Sequence, residues 1–315
     1  MIVVAGEALV DMVPVGDDEL TPLAPKLGGG PYNVAVALGR LDVPTGFLSR
    51  VSTDHFGEQL VKRLHASGVS TDLVQRGPEN TTLAVVGLAE DGSARYAFYV
   101  EGTADRLVED PGPLAEGVQA VSFGTLSLVL EPGASVYEKV LRREGKRLLT
   151  ALDPNIRAGL IADPGAYRER FASWLPDVGL LKVSVEDARW LADAENATDA
   201  DVIEIARTWI SQGPAAVVLT KGGDGLSVIT ATDQVDVPPV TVDVVDTIGA
   251  GDTVQGALLA WLHDHDALDT GKVRALSRDE WTEALTYAGA AAAITCSRAG
   301  AEPPFASELT AALAG

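Results

Sequence analysis

Short apolar runs alternate with helical patterns through most of the chain. The runs predict buried strands, at residues 2–6, 45–49, 120–124, 147–153, 178–183 and 215–220. Helical spacing of apolar residues lies between them and fills much of the C-terminal third, at 33–41, 57–67, 185–194, 201–210, 252–263 and 278–296. This order predicts an α/β fold whose mainly parallel central sheet is covered by helices on both faces, a three-layer sandwich.

Two segments depart from this alternation, residues 8–27 and 82–100. Their pattern is typical of antiparallel strands, and the second segment predicts a hairpin with its turn at residues 90–93. Within the returning strand, the period of two places Tyr96 and Phe98 on the same face. We expect these segments to form a small β lid beside the main sheet.

The chain is strongly acidic, with 45 Asp and Glu residues against 24 Lys and Arg residues and a net charge of −21. Such a surface disfavours long-range attraction of DNA or anionic membranes, so the expected partners are small molecules. An anion such as ATP would then bind to local groups of positive potential: helix N-termini, backbone N–H groups and Mg²⁺.

Three features bear on domain organisation and compartment. The chain has one cysteine, Cys296, which excludes an intrachain disulfide and fits a reducing compartment. It begins with an apolar strand that lacks a basic leader, and no apolar run reaches the roughly 18 residues of a membrane helix. No linker or repeat divides residues 1–315. The sequence therefore predicts a cytoplasmic protein of one domain, with the lid as an insertion.

The most informative motif for chemistry runs from Asp246 to Thr253. An extended β-branched run ends in Gly249-Ala250-Gly251-Asp252, after which a helical pattern begins. Glycines allow backbone N–H groups to converge at a helix N-terminus, which is the geometry of an anion hole suited to a transferring phosphoryl group. Asp252 is then either an N-cap or a base that takes the proton of a substrate hydroxyl, or both. We expect its carboxylate to be ionised, because nearby N–H groups favour the charged form.

Two weaker motifs accompany it. Residues 28–33, Gly-Gly-Gly-Pro-Tyr-Asn, open a helix and either bring a polar ligand close to backbone or form a flexible loop with a capping Asn33. Asp11 follows the first strand and is a candidate hydroxyl acceptor at the carboxyl edge of the sheet. Residues 220–225, Thr-Lys-Gly-Gly-Asp-Gly, form either a tight turn or part of a nucleotide site.

Other phosphate and metal motifs are missing from the sequence. Neither Gly-Lys pair is followed by Ser or Thr, so there is no Walker A loop, and no G-x-G-x-x-G follows a strand. The four histidines form no zinc pattern. An oxidoreductase on a doubly wound sheet is an alternative for this pattern of elements, but the sequence lacks the glycine motif with which such enzymes bind a dinucleotide.

With these motifs in place, the chain resembles the PfkB carbohydrate kinases. Residues 28–41 and 246–256 are similar to the two signature segments of that family, and residues 98–105, 153–157 and 294–304 extend the resemblance, which points toward the fructokinase branch. The resemblance implies a ribokinase-like fold whose β lid often forms a homodimer contact.

The resemblance also implies roles for individual residues. It makes Asp252 the base, Gly249, Ala250 and Gly251 the anion hole, and Arg157 a neighbour of the substrate and the transferred phosphate. The positions that match sugar-binding residues are Asp11, Gly29, Gly30, Asn33 and Phe98. The positions that match the ATP side are Lys182, Ser184, Thr220, Gly222, Gly225 and Gly289.

Metal binding is implied at two places. Asp246 and Ile248 match ligands of a K⁺ ion in some relatives. Many relatives carry Asn-x-x-Glu where Mg²⁺ is organised through water, but this chain has Ser184 and Asp187 there, with Glu186 adjacent. We therefore expect Glu186 and Asp187 to act on Mg²⁺ through water.

The resemblance leads to a specific reaction, ATP-dependent phosphorylation of a primary hydroxyl, with fructose as the expected sugar. The alternatives are a kinase for 2-keto-3-deoxygluconate, whose carboxylate Arg157 could pair with, and a ribokinase-type enzyme. A non-catalytic sugar or nucleotide sensor on the same fold is a further alternative, which the intact Gly-Ala-Gly-Asp motif disfavours.

Overall fold

The computed structural model describes residues 1–16, 21–88 and 94–314. The described strands are β1 (Ile2–Ala5), β2 (Leu9–Pro14), β3 (Leu23–Gly28), β4 (Thr45–Ser52), β5 (Val69–Ser70), β6 (Val74–Gly77), β7 (Thr82–Leu88), β8 (Ala94–Tyr99), β9 (Ala120–Gly124), β10 (Leu149–Asp153), β11 (Leu180–Ser184), β12 (Ala216–Thr220), β13 (Leu226–Thr230) and β14 (Gln234–Val237). The described α-helices are α1 (Gly30–Arg40), α2 (His55–Ala66), α3 (Gly133–Glu144), α4 (Pro164–Trp174), α5 (Val185–Leu191), α6 (Asp199–Ile210), α7 (Ala250–Asp264), α8 (Thr270–Ala275), α9 (Arg278–Cys296) and α10 (Ala306–Ala314).

The central sheet has the strand order β14-β13-β12-β11-β10-β9-β1-β4-β5, and β6 pairs with β4. The pairs from β12 to β5 are parallel, as in the register of Val4 with Phe47 and with Ser122. The edge formed by β13 and β14 is antiparallel. The structure thus confirms the predicted mainly parallel sheet, and each apolar run named above overlaps one of its strands.

Both faces of this sheet are buried, which explains the near-continuous apolar runs. Side chains alternate along β1: Val4 packs into the core with α1, α2, α7 and α9, whereas Val3 packs into the core with α3, α4, α5 and α6. Trp281 and Trp174 are among the largest fully buried side chains of the two cores. The result is the expected three-layer sandwich.

A second, four-stranded sheet has the order β3-β2-β7-β8. The pairs β2–β3 and β7–β8 are antiparallel, and β2–β7 is parallel. Its strands lie within the two segments that the sequence assigned to a lid, although the predicted turn at 90–93 is outside the described residues. The prediction of a separate small sheet is confirmed, while its movement as a lid stays a prediction.

The site is positioned by the carboxyl edge of the central sheet, where β1, β9, β10, β11 and β12 all end. Residues that follow β1, β9 and β10 lie close to the N-termini of α1 and α7. No described helix has both the length and the apolar character that a membrane crossing requires.

Candidate active site

A cavity of about 280 Å³ lies between the carboxyl edge of the central sheet and the small sheet. It brings together most residues that the sequence singled out for sugar and phosphate, namely Asp11, Gly29, Gly30, Asn33, Phe98, Arg157, Lys182, Ile248, Gly249, Gly251 and Asp252. Residues that are more than 240 positions apart along the chain therefore line the same cavity.

Asp252 lies in this cavity as the third residue of α7. The N-cap of α7 is Gly249, in a left-handed conformation with φ of 77°, so the interpretation of Asp252 as an N-cap is wrong. The Asp252 side chain is 8% exposed, and its Oδ2 accepts a hydrogen bond of 2.9 Å from Asn33 Nδ2. This carboxylate is consequently available to a ligand and is held in place from α1.

Burial raises the pKa of Asp252 above its ordinary value, and the Asn33 hydrogen bond and the charges of Lys182 and Arg157 counteract that rise. The sequence predicted an ordinary ionised carboxylate, because it could reveal the helix N-terminus but not the depth of burial. A raised pKa makes Asp252 a stronger base for a sugar hydroxyl.

The turn before α7 has the features of an anion hole. The Ala250 amide donates to Thr247 O within the turn at 3.2 Å, and among the described residues the amides of Gly251 and Asp252 make no hydrogen bond. These two N–H groups, at the positive end of a 15-residue helix, are therefore free for a phosphoryl group. Ala250 itself does not line the cavity.

The sugar loop at residues 29–33 has a specific geometry. Gly29 has a φ of 112°, and a Cβ built on it would lie 2.8 Å from Glu7 O, so glycine is required there. Asn33 is 6% exposed, and its Oδ1 has no hydrogen-bond partner among the described residues. Asn33 lines the cavity, and an unpartnered buried acceptor on such a residue indicates a position for a ligand hydroxyl.

Asp11 and Arg157 have side chains of opposite charge and line the same cavity. Burial raises the pKa of Asp11 to about 6, the charge of Asp252 adds to the rise, and Arg157 opposes it. Arg157 is held by its Nη1, which donates to Asn155 Oδ1 at 2.7 Å and to Ile156 O at 3.2 Å.

Lys182 is buried beneath the anion-hole turn. Its Nζ forms an ion pair of 2.7 Å with Asp153, and a Cβ on Gly251 would lie 3.0 Å from that Nζ. Burial acts to lower the pKa of Lys182, but the charge and hydrogen bond of Asp153, together with the charges of Asp252 and Asp187, outweigh burial and raise the pKa. Lys182 thus brings a fixed positive charge to the place where phosphate oxygens would sit.

The remaining positions assigned to ATP lie outside this cavity, at the end of β12 and beside it. Thr220 ends β12, and Gly222 and Gly225 form the following turn with φ of 54° and 89°. Gly289 lies on α9, where an added Cβ would meet Leu226 Cδ1 of β13 at 3.8 Å. These residues lie on β12, on the turn that follows it and on a helix that contacts β13, and their role in ATP binding stays a prediction.

The predicted Mg²⁺ segment has a structural role of its own. Ser184 is the N-cap of α5 in a capping box with Asp187, whose Oδ1 also accepts the Ile156 amide at 2.9 Å. Glu186 is exposed. The described residues contain no cluster of three or more metal-binding side chains. The segment fits a Mg²⁺ ion held chiefly by ATP phosphates and water, with Glu186 as the freer carboxylate.

The predicted K⁺ segment is held by hydrogen bonds. Asp246 Oδ1 accepts the Ile248 amide at 3.0 Å, and its Oδ2 accepts the Gly300 amide at 2.8 Å. The carboxylate therefore stabilises the loop in this structure, and K⁺ binding stays a prediction.

Several residues that line the cavity were not predicted from the sequence. Glu7 is 1% exposed and accepts the amides of Gly30 and Ser127 at 3.2 and 3.0 Å, while burial raises its pKa to about 8. Tyr96 lines the cavity beside Phe98, with ring centroids 5.9 Å apart. The alternation in β8 was a usable signal for Tyr96, whereas Glu7 gave none beyond following a strand.

Comparisons with known proteins identify the family of the chain. Residues 1–308 match the model of the pfkB family carbohydrate kinases. A fructokinase of Rhizobium leguminosarum bv. trifolii is 38% identical over 282 residues, which cover 88% of this chain and 84% of the relative. The probable fructokinase-4 of Arabidopsis thaliana is 32% identical over an alignment that covers 100% of this chain and 97% of the relative.

Solved structures give the same result for the fold. The structure of a fructokinase with bound ATP from Xylella fastidiosa superposes with a TM-score of 0.88 at 25% sequence identity. The superposition covers 99% of this chain and 98% of the fructokinase chain. The family match over nearly the whole chain, together with the Gly-Ala-Gly-Asp turn at the cavity, confirms the resemblance drawn from the motifs. The chain belongs to the pfkB family of carbohydrate kinases.

Proposed function

We propose that this sugar kinase transfers the γ-phosphoryl group of ATP to a primary hydroxyl of fructose. The observation that carries the proposal is the position of Asp252, a buried carboxylate that shares a cavity with the free amides at the start of α7. A base and an anion hole at one place are what transfer of a phosphoryl group to an alcohol requires.

The proposed reaction is an in-line displacement. Asp252 takes the proton of the hydroxyl as its oxygen forms the bond to the γ-phosphorus, and the bond from that phosphorus to the oxygen of the departing ADP breaks. The amides of Gly251 and Asp252 and the charge of Lys182 stabilise the equatorial oxygens. Mg²⁺, when bound with ATP, neutralises part of the phosphate charge.

The other residues are assigned to binding. Asp11 and the free Oδ1 of Asn33 accept hydroxyl hydrogens of the sugar, and the backbone at Gly29 and Gly30 forms the floor. ATP extends from Lys182 and Ser184 to Thr220, Gly222, Gly225 and Gly289. Tyr96 and Phe98 bring the small sheet onto the sugar, and closure of that sheet excludes water that would hydrolyse ATP.

Charge in the cavity favours a neutral sugar over a sugar acid. Asp11 and Asp252 are two carboxylates, Lys182 is already paired with Asp153, and Arg157 donates from Nη1 to its own loop. The carboxylate of 2-keto-3-deoxygluconate would therefore meet more negative than positive charge. The fructokinase names of the relatives support the same choice.

Four further assignments belong to the proposal. Activity requires Mg²⁺, K⁺ stimulates it through the loop at Asp246 and Ile248, the small sheets of two copies form a homodimer, and the enzyme works in the cytoplasm. Replacement of K⁺ by Na⁺ in the assay buffer tests the stimulation by K⁺, and light scattering tests the homodimer.

A substrate panel tests the proposal as a whole. The protein is incubated with ATP, Mg²⁺ and one of fructose, ribose, 2-keto-3-deoxygluconate or adenosine, and ADP is measured with a coupled assay. We expect the highest kcat/KM with fructose. A higher kcat/KM with another acceptor would reject fructose, and sugar binding without ADP release would favour a sensor.

A further inference from the structure

The loop between α9 and α10, residues 297–305, contacts the anion-hole turn directly. Its Gly300 amide donates to Asp246 Oδ2 at 2.8 Å. Its Ala301 packs so closely on Gly249 that a Cβ built on that glycine would lie 2.6 Å from Ala301 Cβ. The position of this loop therefore sets the position of the turn whose amides face the phosphoryl group.

The same loop is tied to the first two helices through Glu302. Its two carboxylate oxygens form ion pairs with Arg40 of α1 at 2.8 Å and with Arg63 of α2 at 3.1 Å. The two arginine side chains are only 12% and 16% exposed. Because these charges are largely removed from water, their compensation by Glu302 matters more than that of a surface pair.

Each arginine also donates to a backbone carbonyl of the loop. Arg40 Nη1 bonds to Pro303 O at 2.8 Å, and Arg63 Nη2 bonds to Ala301 O at 2.5 Å. Arg63 thus contacts the residue that packs against Gly249. Arg40 also lies over the Phe305 ring, with its Cζ 4.9 Å from the centroid.

We propose that Glu302 is a positioning residue for phosphoryl transfer, which acts through Arg63 and Ala301 on the turn at Gly249. Since α1 also carries Asn33, the ion pairs fix the distance between the sugar loop and the anion hole. The inference rests on the proposed function, because it assigns the amides after Gly249 to the phosphoryl group. Small displacements of such donors reduce the rate of the chemical step more than they reduce substrate binding.

The test uses two variants of the full chain, Glu302→Gln and Ala301→Val. The first removes the charge that holds both arginines, and the second presses on Gly249 without changing any charge. We expect each to lower kcat by about tenfold or more while KM for fructose and for ATP changes by less than about threefold. Steady-state kinetics are measured well below the unfolding temperature, which is checked for every variant.

The chain offers a matched control in Glu138. This glutamate also bridges arginines of two helices, Arg142 of α3 at 2.8 Å and Arg170 of α4 at 2.5 Å, but on the opposite face of the sheet. We expect Glu138→Gln to lower the unfolding temperature and to leave kcat unchanged.

Three results would overturn the inference. They are a wild-type kcat in folded Glu302→Gln, a change confined to KM, and an equal loss of kcat in Glu138→Gln. If Glu302→Gln does not fold, Ala301→Val decides, and a wild-type kcat in that variant overturns the inference. A wild-type protein that phosphorylates no acceptor of the panel would instead reject the proposed function, and with it this role of Glu302.

Discussion

Asn33 Nδ2 donates a hydrogen bond of 2.9 Å to Asp252 Oδ2, although the two residues are 219 positions apart. This bond joins the helix that opens the sugar loop to the helix that begins at the anion hole. It fixes the orientation of the carboxylate and leaves Asp252 Oδ1 for the sugar hydroxyl of the proposed reaction. It also opposes the rise in pKa that burial causes.

The first prediction concerns the base itself. Asp252→Asn keeps the size of the side chain but cannot accept a proton, so we expect turnover of fructose to fall several hundred-fold or more, which corresponds to about 4 kcal/mol in the barrier. The coupled ADP assay measures the loss, and an unchanged circular dichroism spectrum shows that the fold is intact. Near-wild-type turnover would remove Asp252 from the mechanism.

Much of this site could be predicted from residues that are adjacent in sequence. The strands β1, β4, β9, β10, β11 and β12 were visible because burial on both faces leaves continuous apolar runs. The motif that ends in Asp252 was visible because its two glycines and its aspartate are adjacent in sequence at the start of a helical pattern. Local patterns were therefore sufficient for the fold class, whereas the reaction came from the resemblance of the motifs to the PfkB carbohydrate kinases.

What could not be predicted depends on contacts between distant segments. Glu7 accepts the Ser127 amide across 120 positions, and Lys182 pairs with Asp153 across 29. The N-cap of α7 is Gly249, in a left-handed conformation, and not Asp252. Neither burial nor a left-handed φ is encoded in the spacing of a single motif.

The second prediction follows from the hydrogen bond between Asn33 and Asp252. In Asn33→Ala the bond that lowers the pKa of Asp252 is lost, so the pKa rises further. A smaller fraction of Asp252 is then ionised at a given pH, and we expect the acid limb of the kcat profile to move up by about one pH unit. KM for fructose should rise as well, because Asn33 Oδ1 is a proposed sugar ligand.

The measurement is the dependence of kcat on pH between 5 and 9, at saturating fructose and ATP. Part of the lost rate should return at high pH, where Asp252 is ionised in both proteins. An acid limb that stays in place would show that Asn33 does not tune this carboxylate.

The third prediction separates backbone strain from steric displacement of the anion hole. Gly249 and Gly112 have nearly the same left-handed φ, 77° and 76°, but only Gly249 would place a Cβ against Ala301. Each change to alanine should cost about 1–2 kcal/mol of stability from the conformation alone. We expect Gly249→Ala to lose kcat by about tenfold or more as well, since the turn must move.

Gly112→Ala is the control, because nothing lies within 4 Å of its new methyl group. Chemical denaturation and steady-state kinetics are measured for both variants. If Gly249→Ala loses stability like the control but keeps its kcat, then the position of this turn does not govern phosphoryl transfer.

The fourth prediction concerns the buried ion pair beneath the anion hole. Lys182→Met leaves the Asp153 carboxylate buried without its 2.7 Å partner, so the free energy of unfolding should fall by about 3–5 kcal/mol at neutral pH. Lys221→Met is the matched control, because its ion pair with Asp236 is 23% and 51% exposed and should contribute at most about 1 kcal/mol.

The pH dependence of that loss identifies its cause. Burial already raises the pKa of Asp153 to about 6 even though Lys182 lowers it, so removal of Lys182 raises it further. At pH 5 Asp153 is a neutral carboxyl in the folded variant. At pH 8 folding must either bury the charged carboxylate without a partner or protonate it, and both lower the free energy of unfolding. Urea unfolding should therefore give a smaller difference from wild type at pH 5 than at pH 8. A difference that does not depend on pH would mean that Lys182 stabilises the fold by packing rather than by charge.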